Sequence, residues 1–355
     1  MLVLSAMELI SGMKLSQDIH FYDSPLQKMV ELKKNSILSM SIISRLKASN
    51  VDRIVVDGLP VNMQRVQTVD EQIKKEAISG IQRLAVSLSN PNNEADAKRE
   101  IKSLMDTTET LINGISTEDE IMVSIADLKD YDDYTYHHSL SVAIMALAVG
   151  TDLKLLPNDL KELVLSGLLH DIGKTMIPIE IINKPSKLTP EEFQIIKMHP
   201  VYAANSLIKQ HLVSQKVIDS VISHHEKWDG TGYPSGLSGD NIPLFGRILS
   251  VTDVYDALTS IRPYRTPSHP SEALEYIMGG AGTAFDLDVV RAFIKHIAPY
   301  PVGEKVKLSS NQTAIVLRNY PEQPLRPIVN IVGTSVIYDL YKDPTKLNIV
   351  IMQAI

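Results

Sequence analysis

Apolar and polar positions divide the chain into three textures. Over residues 1–60, short apolar runs alternate with polar breaks and end in "VDRIVVDGLP". That ending predicts a strand over 53–56, stopped by Gly58 and Pro60, and a small mixed or mostly β module around it. From about Val66 to Ser116 the apolar spacing becomes helical. Ile73, Ala77, Ile81, Leu84 and Leu88 step by three and four, and after the break "SNPNN" so do Ile101, Met105, Thr108, Leu111 and Ile115. Such stripes pack helices onto their own domain or, as a heptad-like seam, onto a second copy, and the spacing leaves both open.

Residues 120–298 read as strongly helical. "SLSVAIMALAVG" and "NDLKELVLSGLLH" each offer a wide apolar face, with Asn158 as the expected N-cap of the second. Beyond Pro299, "GEKVKLSSNQTAIVLRNY" and "RPIVNIVGTSVIYDLY" alternate like strands between Gly and Asn turns. The expected fold class is therefore mainly α. A helical bundle at 121–298 follows a small module at 1–60 and a helical linker at 61–120, and a C-terminal β extension at 299–355 completes the chain.

Composition narrows the chemistry. With 355 residues, 44% of them apolar, there is material for one large and one or two small cores. The absence of cysteine removes disulfides, thiolate ligands and a cysteine nucleophile. A net charge of −7 argues against a broad basic face for a nucleic acid polymer, so an anionic ligand needs local positive charge. The longest apolar run, 142–149, is short of a bilayer span, and Glu8 interrupts an N-terminus that lacks a basic start. A cytoplasmic protein without a membrane span is the expectation.

Most of the ten histidines lie between residues 137 and 225. His138 opens an apolar helix and His170 closes another, directly before Asp171. His199 starts "HPVYAANSLI", and His224 and His225 precede "EKWDGTGYP". Asp253 adds an acid to an otherwise apolar helix. Buried imidazoles and carboxylates are costly unless paired or metal-bound, and helical bundles build metal sites from such inward-facing groups. A carboxylate can bridge two cations while imidazoles fill the outer positions, and two cations about 3.5–4 Å apart can activate a bridging hydroxide against a phosphodiester. Nitrogen and oxygen ligands without sulfur suit iron, manganese, cobalt, nickel or zinc. Lys174 falls one helical turn after His170, and Arg262 and Arg265 follow Asp253 with guanidinium groups suited to phosphate or a guanine edge.

The motifs "HHS" at 137–139, "HDIGK" at 170–174, "NKPSKLT" at 183–189, "HP" at 199–200, "HHEKWDGTGYP" at 224–234 and "DVYDALTSIRPYR" at 253–265 occur in a fixed order. In this the chain resembles the HD-GYP domain family, the cyclic di-GMP phosphodiesterase subgroup of the HD metal-dependent phosphohydrolases, over about residues 125–298. The resemblance implies an HD-type helical bundle with two divalent transition-metal ions, iron or manganese. His138, His170, Asp171 and Asp253 would hold one, and Asp171, His199, His224 and His225 the other. Asp171 and Lys174 would be the catalytic pair. Lys174, Tyr233, Arg262 and Arg265 would bind substrate, and Glu226 and Asp229 would orient the loop. Members with a third metal carry glutamate where this chain has Tyr134, with Asp132 and Asp133 off that register, so two metals are expected. Ala203 stands where the family commonly has glycine.

The implied activity is hydrolysis of cyclic di-GMP to pGpG, with GMP as a further product left open. The competing readings are a non-catalytic module that binds a cyclic dinucleotide or a protein, and a phosphodiesterase for another cyclic dinucleotide. Expected partners are cyclic di-GMP, a second copy through the helices at 61–120, and a signalling protein.

Overall fold

The computed structural model describes residues 2–4, 6, 9, 13–24, 26–49, 51, 53–56, 70–89, 93–115, 134–184, 186–211, 213–260, 267–334 and 336–355. The chain falls into two compact units, Met1–Val66 with Tyr300–Ile355, and Gln67–Pro299. The expected linker helices therefore fall inside the larger unit, and the two terminal β textures share the other.

In the first unit, the N-terminal stretch supplies β1 (Leu2–Leu4), β2 (Ile19–Asp23), β3 (Lys28–Leu32), α1 (Met40–Ala48) and β4 (Ile54–Val56). The C-terminal stretch supplies β5 (Lys305–Leu308), β6 (Thr313–Arg318), β7 (Ile328–Ile331), β8 (Ile337–Asp339) and β9 (Ile351–Ala354). β1 pairs antiparallel with β4 and β2 with β3, while the others form one antiparallel sheet in the order β8-β7-β6-β5-β9. β6 carries a continuous apolar run because both its faces are covered. Ile315 and Leu317 join Leu15, Phe21 and Leu46 in one cluster, and Ala314 and Val316 join Val306 and Val329 in another.

The second unit is the helical bundle. Its elements are α2 (Glu71–Leu88), α3 (Glu94–Ile115), α4 (Tyr134–Asp152), α5 (Pro157–Leu169), α6 (Ile179–Ile182), α7 (Pro190–Ile196), α8 (His199–Gln210), α9 (Gln215–Ser223), α10 (Leu244–Thr259), α11 (Pro270–Gly279) and α12 (Leu287–His296). Positions 138–150 of α4 are all buried, because α2, α5, α10 and α12 surround it. A helix that is apolar all round belongs at such a centre. α2 and α3 pack on each other and on α4 and α5, burying Ala77, Ile81, Leu84, Ile101, Leu104 and Leu111. Leu104 takes the stripe position expected of Met105, whose side chain is exposed.

Asn158 is not the cap of α5. Pro157 occupies its first turn after Leu156, since a proline there has its φ pre-set and lacks only an N–H that the helix would leave unpaired. No helix among the described residues is long and apolar enough to cross a membrane.

Candidate metal centre

Two glycines let backbones touch where the titratable groups meet. A Cβ on Gly167 would lie 2.7 Å from the Ala143 Cα, so α5 crosses α4 at backbone contact. One turn later the His170 ring, at the C-cap of α5, meets His138 of α4 with centroids 5.2 Å apart. Asp171 then caps a 3-10 turn, Ile172–Met176. A Cβ on Gly173 would sit 2.0 Å from the His199 carbonyl oxygen, so this turn is seated on the N-terminus of α8. His224 ends α9, His225 follows, and Asp253 projects from α10.

Hydrogen bonds fix the imidazole tautomers. The Nδ1–H groups of His170, His199 and His224 donate to the carbonyl oxygens of Gly167 (2.8 Å), Ile196 (2.7 Å) and Val221 (2.6 Å). A carbonyl can only accept, so each neutral ring turns an Nε2 lone pair inward. Nε2 of His199 and Nε2 of His224 face each other at 3.2 Å. Two lone pairs at that distance repel unless a proton or a cation lies with them. His170 Nε2 and Asp171 Oδ1 are likewise buried with no hydrogen-bond partner among the described residues.

Asp171 stands between two groups of donors. Its Oδ2 is 3.6 Å from His138 Nε2 and 3.5 Å from His170 Nε2, and its Oδ1 is 3.3 Å from His199 Nε2. His138 Nε2 is 3.1 Å from Asp253 Oδ1, and His225 Nδ1 is 3.6 Å from Asp253 Oδ2. The clusters His138–His170–Asp171, His199–His224–His225 and His170–His224–Asp253 each bring three donor atoms within 4.8 Å of one another. These groups suit a divalent metal.

The charges agree with that donor set. Burial works against ionising Asp171, but Lys174 and the neighbouring histidines outweigh it and hold the carboxyl well below its usual range. Asp253 is held low in the same way by His138 and His225. Burial pushes His224 well down and His225 to about 3, and it lowers His170. Burial also disfavours a charged His138, yet hydrogen bonds to Asp253 and Asp256 prevail and raise it to about 9. Anionic oxygens beside neutral nitrogens are what a divalent cation requires.

Lys174 Nζ donates to Asp171 Oδ2 from the 3-10 turn, although α5 has already ended. The loop after His225 is built around Glu226, whose buried carboxylate accepts from the backbone N–H groups of Ser235 (2.7 Å), Gly236 (3.1 Å) and Leu237 (3.1 Å). Gly230, at φ 81°, supplies the left-handed turn. Asp229 accepts from the N–H and hydroxyl of Thr231. Tyr233 donates its backbone N–H to the His225 carbonyl at 3.2 Å and stacks on the His225 ring, centroids 4.7 Å apart. In the "NKPSKLT" motif, Thr189 and Glu192 form a capping box on α7, and Lys184 bonds Glu192.

All seven expected ligands thus converge, with Lys174 and Tyr233 beside them. Arg262 and Arg265 lie outside the described residues, as do Asp132 and Asp133, and Tyr134 is the first residue of α4. Asp256 was missed from sequence: its Oδ2 accepts from His138 Nδ1 at 2.7 Å and from the Ser260 hydroxyl at 3.0 Å. Its signal was the i, i+3 spacing from Asp253, which puts both carboxylates on one helical face.

A profile of the HD domain matches residues 111–289. A cyclic di-GMP phosphodiesterase of Pseudomonas aeruginosa is 42% identical over 210 residues, 59% of this chain and 50% of that protein. A cyclic di-GMP phosphodiesterase of Vibrio cholerae is 37% identical over 207 residues, 54% of this chain and 42% of that one. A 3'3'-cGAMP-specific phosphodiesterase of Vibrio cholerae is 39% identical over 129 residues, covering 36% of this chain and 25% of that protein. The chain spans half or less of the length of each of these relatives. With the profile covering half the sequence and the histidine–aspartate motifs converging inside it, the chain belongs to the HD domain family, in its HD-GYP subgroup.

Proposed function

We propose that this chain is a metal-dependent phosphodiesterase that opens cyclic di-GMP to pGpG in the cytoplasm, with GMP as an onward product. The observation that carries this reading is the Asp171 carboxylate, which reaches His138 and His170 through one oxygen and His199 through the other. The names of the Pseudomonas and Vibrio relatives support the substrate. His138, His170, Asp171 and Asp253 would hold one metal ion and Asp171, His199, His224 and His225 the second, with iron or manganese as native ions. Bound there, the two ions would supply Lewis acidity to the phosphoryl group and lower the pKa of water.

The chain's own groups prepare the rest. The Nδ1 hydrogen bonds hold the rings with Nε2 facing inward. Lys174 brings positive charge to the edge of Asp171, where a phosphodiester oxygen would lie. Tyr233, Arg262 and Arg265 complete the substrate side. In the reaction, water oxygen bonds to phosphorus, the P–O3′ bond breaks and the 3′ oxygen leaves as a hydroxyl. A homodimer through residues 61–120 would have to use the face that exposes Val86 and Met105, because the opposite face packs on α4 and α5.

The test is chromatography of cyclic di-GMP after incubation with protein purified without oxygen and supplied with iron or manganese. Formation of pGpG, abolished by a chelator, is the expected result. Intact substrate beside demonstrably bound metal would overturn the reading and favour a binding module. A second reading, a mixed guanine–adenine cyclic dinucleotide as substrate, is favoured by the cGAMP-specific relative. Competing the two dinucleotides in one assay separates them.

Asp256 gives a second prediction. It fixes the His138 tautomer from behind, so Asp256→Asn is expected to weaken metal binding about 10–100-fold. Titration with manganese followed by calorimetry checks this, and unchanged affinity would remove Asp256 from the site.

A further inference from the structure

A chamber of about 280 Å³ opens beside Asp171 and Lys174, and one of its walls comes from outside the part of the chain that matches the HD domain. That wall is Ile81 of α2, which joins Ile172, Ile179 and Ile182 as an aliphatic lining, with Tyr136, Ser139, Thr175 and Asn183 adding aromatic and polar groups. Flat apolar walls with a few polar groups suit a nucleobase, whose faces pack on aliphatic or aromatic surface while its edge meets amide or hydroxyl groups. An asparagine amide offers both donors and an acceptor to such an edge. The volume is at the lower end of small-molecule pockets, roughly 300–1,000 Å³. It has room for one base and its sugar rather than for two.

We infer that this chamber takes one nucleoside half of the substrate and that α2 is part of the substrate site through Ile81. The inference rests on the phosphodiesterase reading for its substrate. A nucleotide whose base enters the chamber carries its phosphate towards Lys174, whose ammonium lies at the same opening as the Asp171 carboxylate. The helices upstream of the matched region then do more than support the bundle. A shift of α2 changes the width of the base chamber without moving any metal ligand.

Guanosine 5′-monophosphate is the probe, titrated calorimetrically into metal-loaded protein. Ile81→Val removes one methyl group and is expected to weaken binding about fourfold, and Ile81→Ala about fifteenfold, with metal content unchanged. Ile81 is buried, so Ile81→Ala carries a folding risk that Ile81→Val avoids. Ile179→Trp, at an exposed rim position, should block the chamber and abolish binding in a folded protein. Failure of wild-type protein to bind the mononucleotide, or equal binding by wild type and all variants, would overturn the inference. Ile81-dependent binding without turnover of cyclic di-GMP would leave the base chamber standing and remove only the enzymatic reading.

Discussion

Asp171→Ala protein is expected to lose bound metal and to turn over cyclic di-GMP at least about 10³-fold more slowly, the equivalent of about 4 kcal/mol of transition-state stabilisation. The size of the effect follows from position. No other side chain reaches His138, His170 and His199 together, at 3.6, 3.5 and 3.3 Å among the described residues. Without its carboxylate the two donor groups have no shared anion, and the His199–His224 lone-pair contact loses the ion that would relieve it. Elemental analysis after anaerobic purification measures metal content, chromatography measures turnover, and circular dichroism checks that the helices remain. An Asp171→Ala protein retaining both metals and full turnover would refute the two-metal proposal.

Glu226→Ala should produce the second largest effect, on stability and activity together. The carboxylate is 2% exposed and accepts three backbone N–H groups from residues 235–237. Truncation leaves those donors facing a small cavity. Hydrogen bonds to a charged group contribute about 1.5–3 kcal/mol each, and water entering the gap would recover part of that. A net loss of about 3 kcal/mol is expected from urea unfolding. Tyr233 should then leave the His225 ring, raising KM more than it lowers metal content. Wild-type stability together with unchanged KM would show that the loop holds itself without Glu226.

The larger unit was legible because its signals are local. Helical periodicity marked α2 to α5, and the histidine motifs stood at helix ends where a bundle can gather them. What sequence could not show was pairing at a distance. The β textures at 1–60 and 299–355 fall in one unit, and β6 is buried on both faces by clusters that draw on both. Helical spacing placed Ile81 on a buried face but could not say that the face reaches the Asp171 chamber. Asp256 escaped for a related reason: a buried carboxylate three residues from a ligand resembles the ligand until the His138 ring shows which nitrogen it holds.

The enclosure of α4 binds retention of the metals to the cohesion of the whole bundle. His138 rides on the helix with buried residues on every side, so it has no local opening through which to release a metal while the bundle stays intact. A cavity made at Val142 or Leu147, touching no ligand, would favour the open bundle and thereby the metal-free state. For a chain of this kind, the residues that keep the cofactor are a much larger set than the residues that touch it. Substitutions deep in the apolar core would first be noticed as a loss of metal.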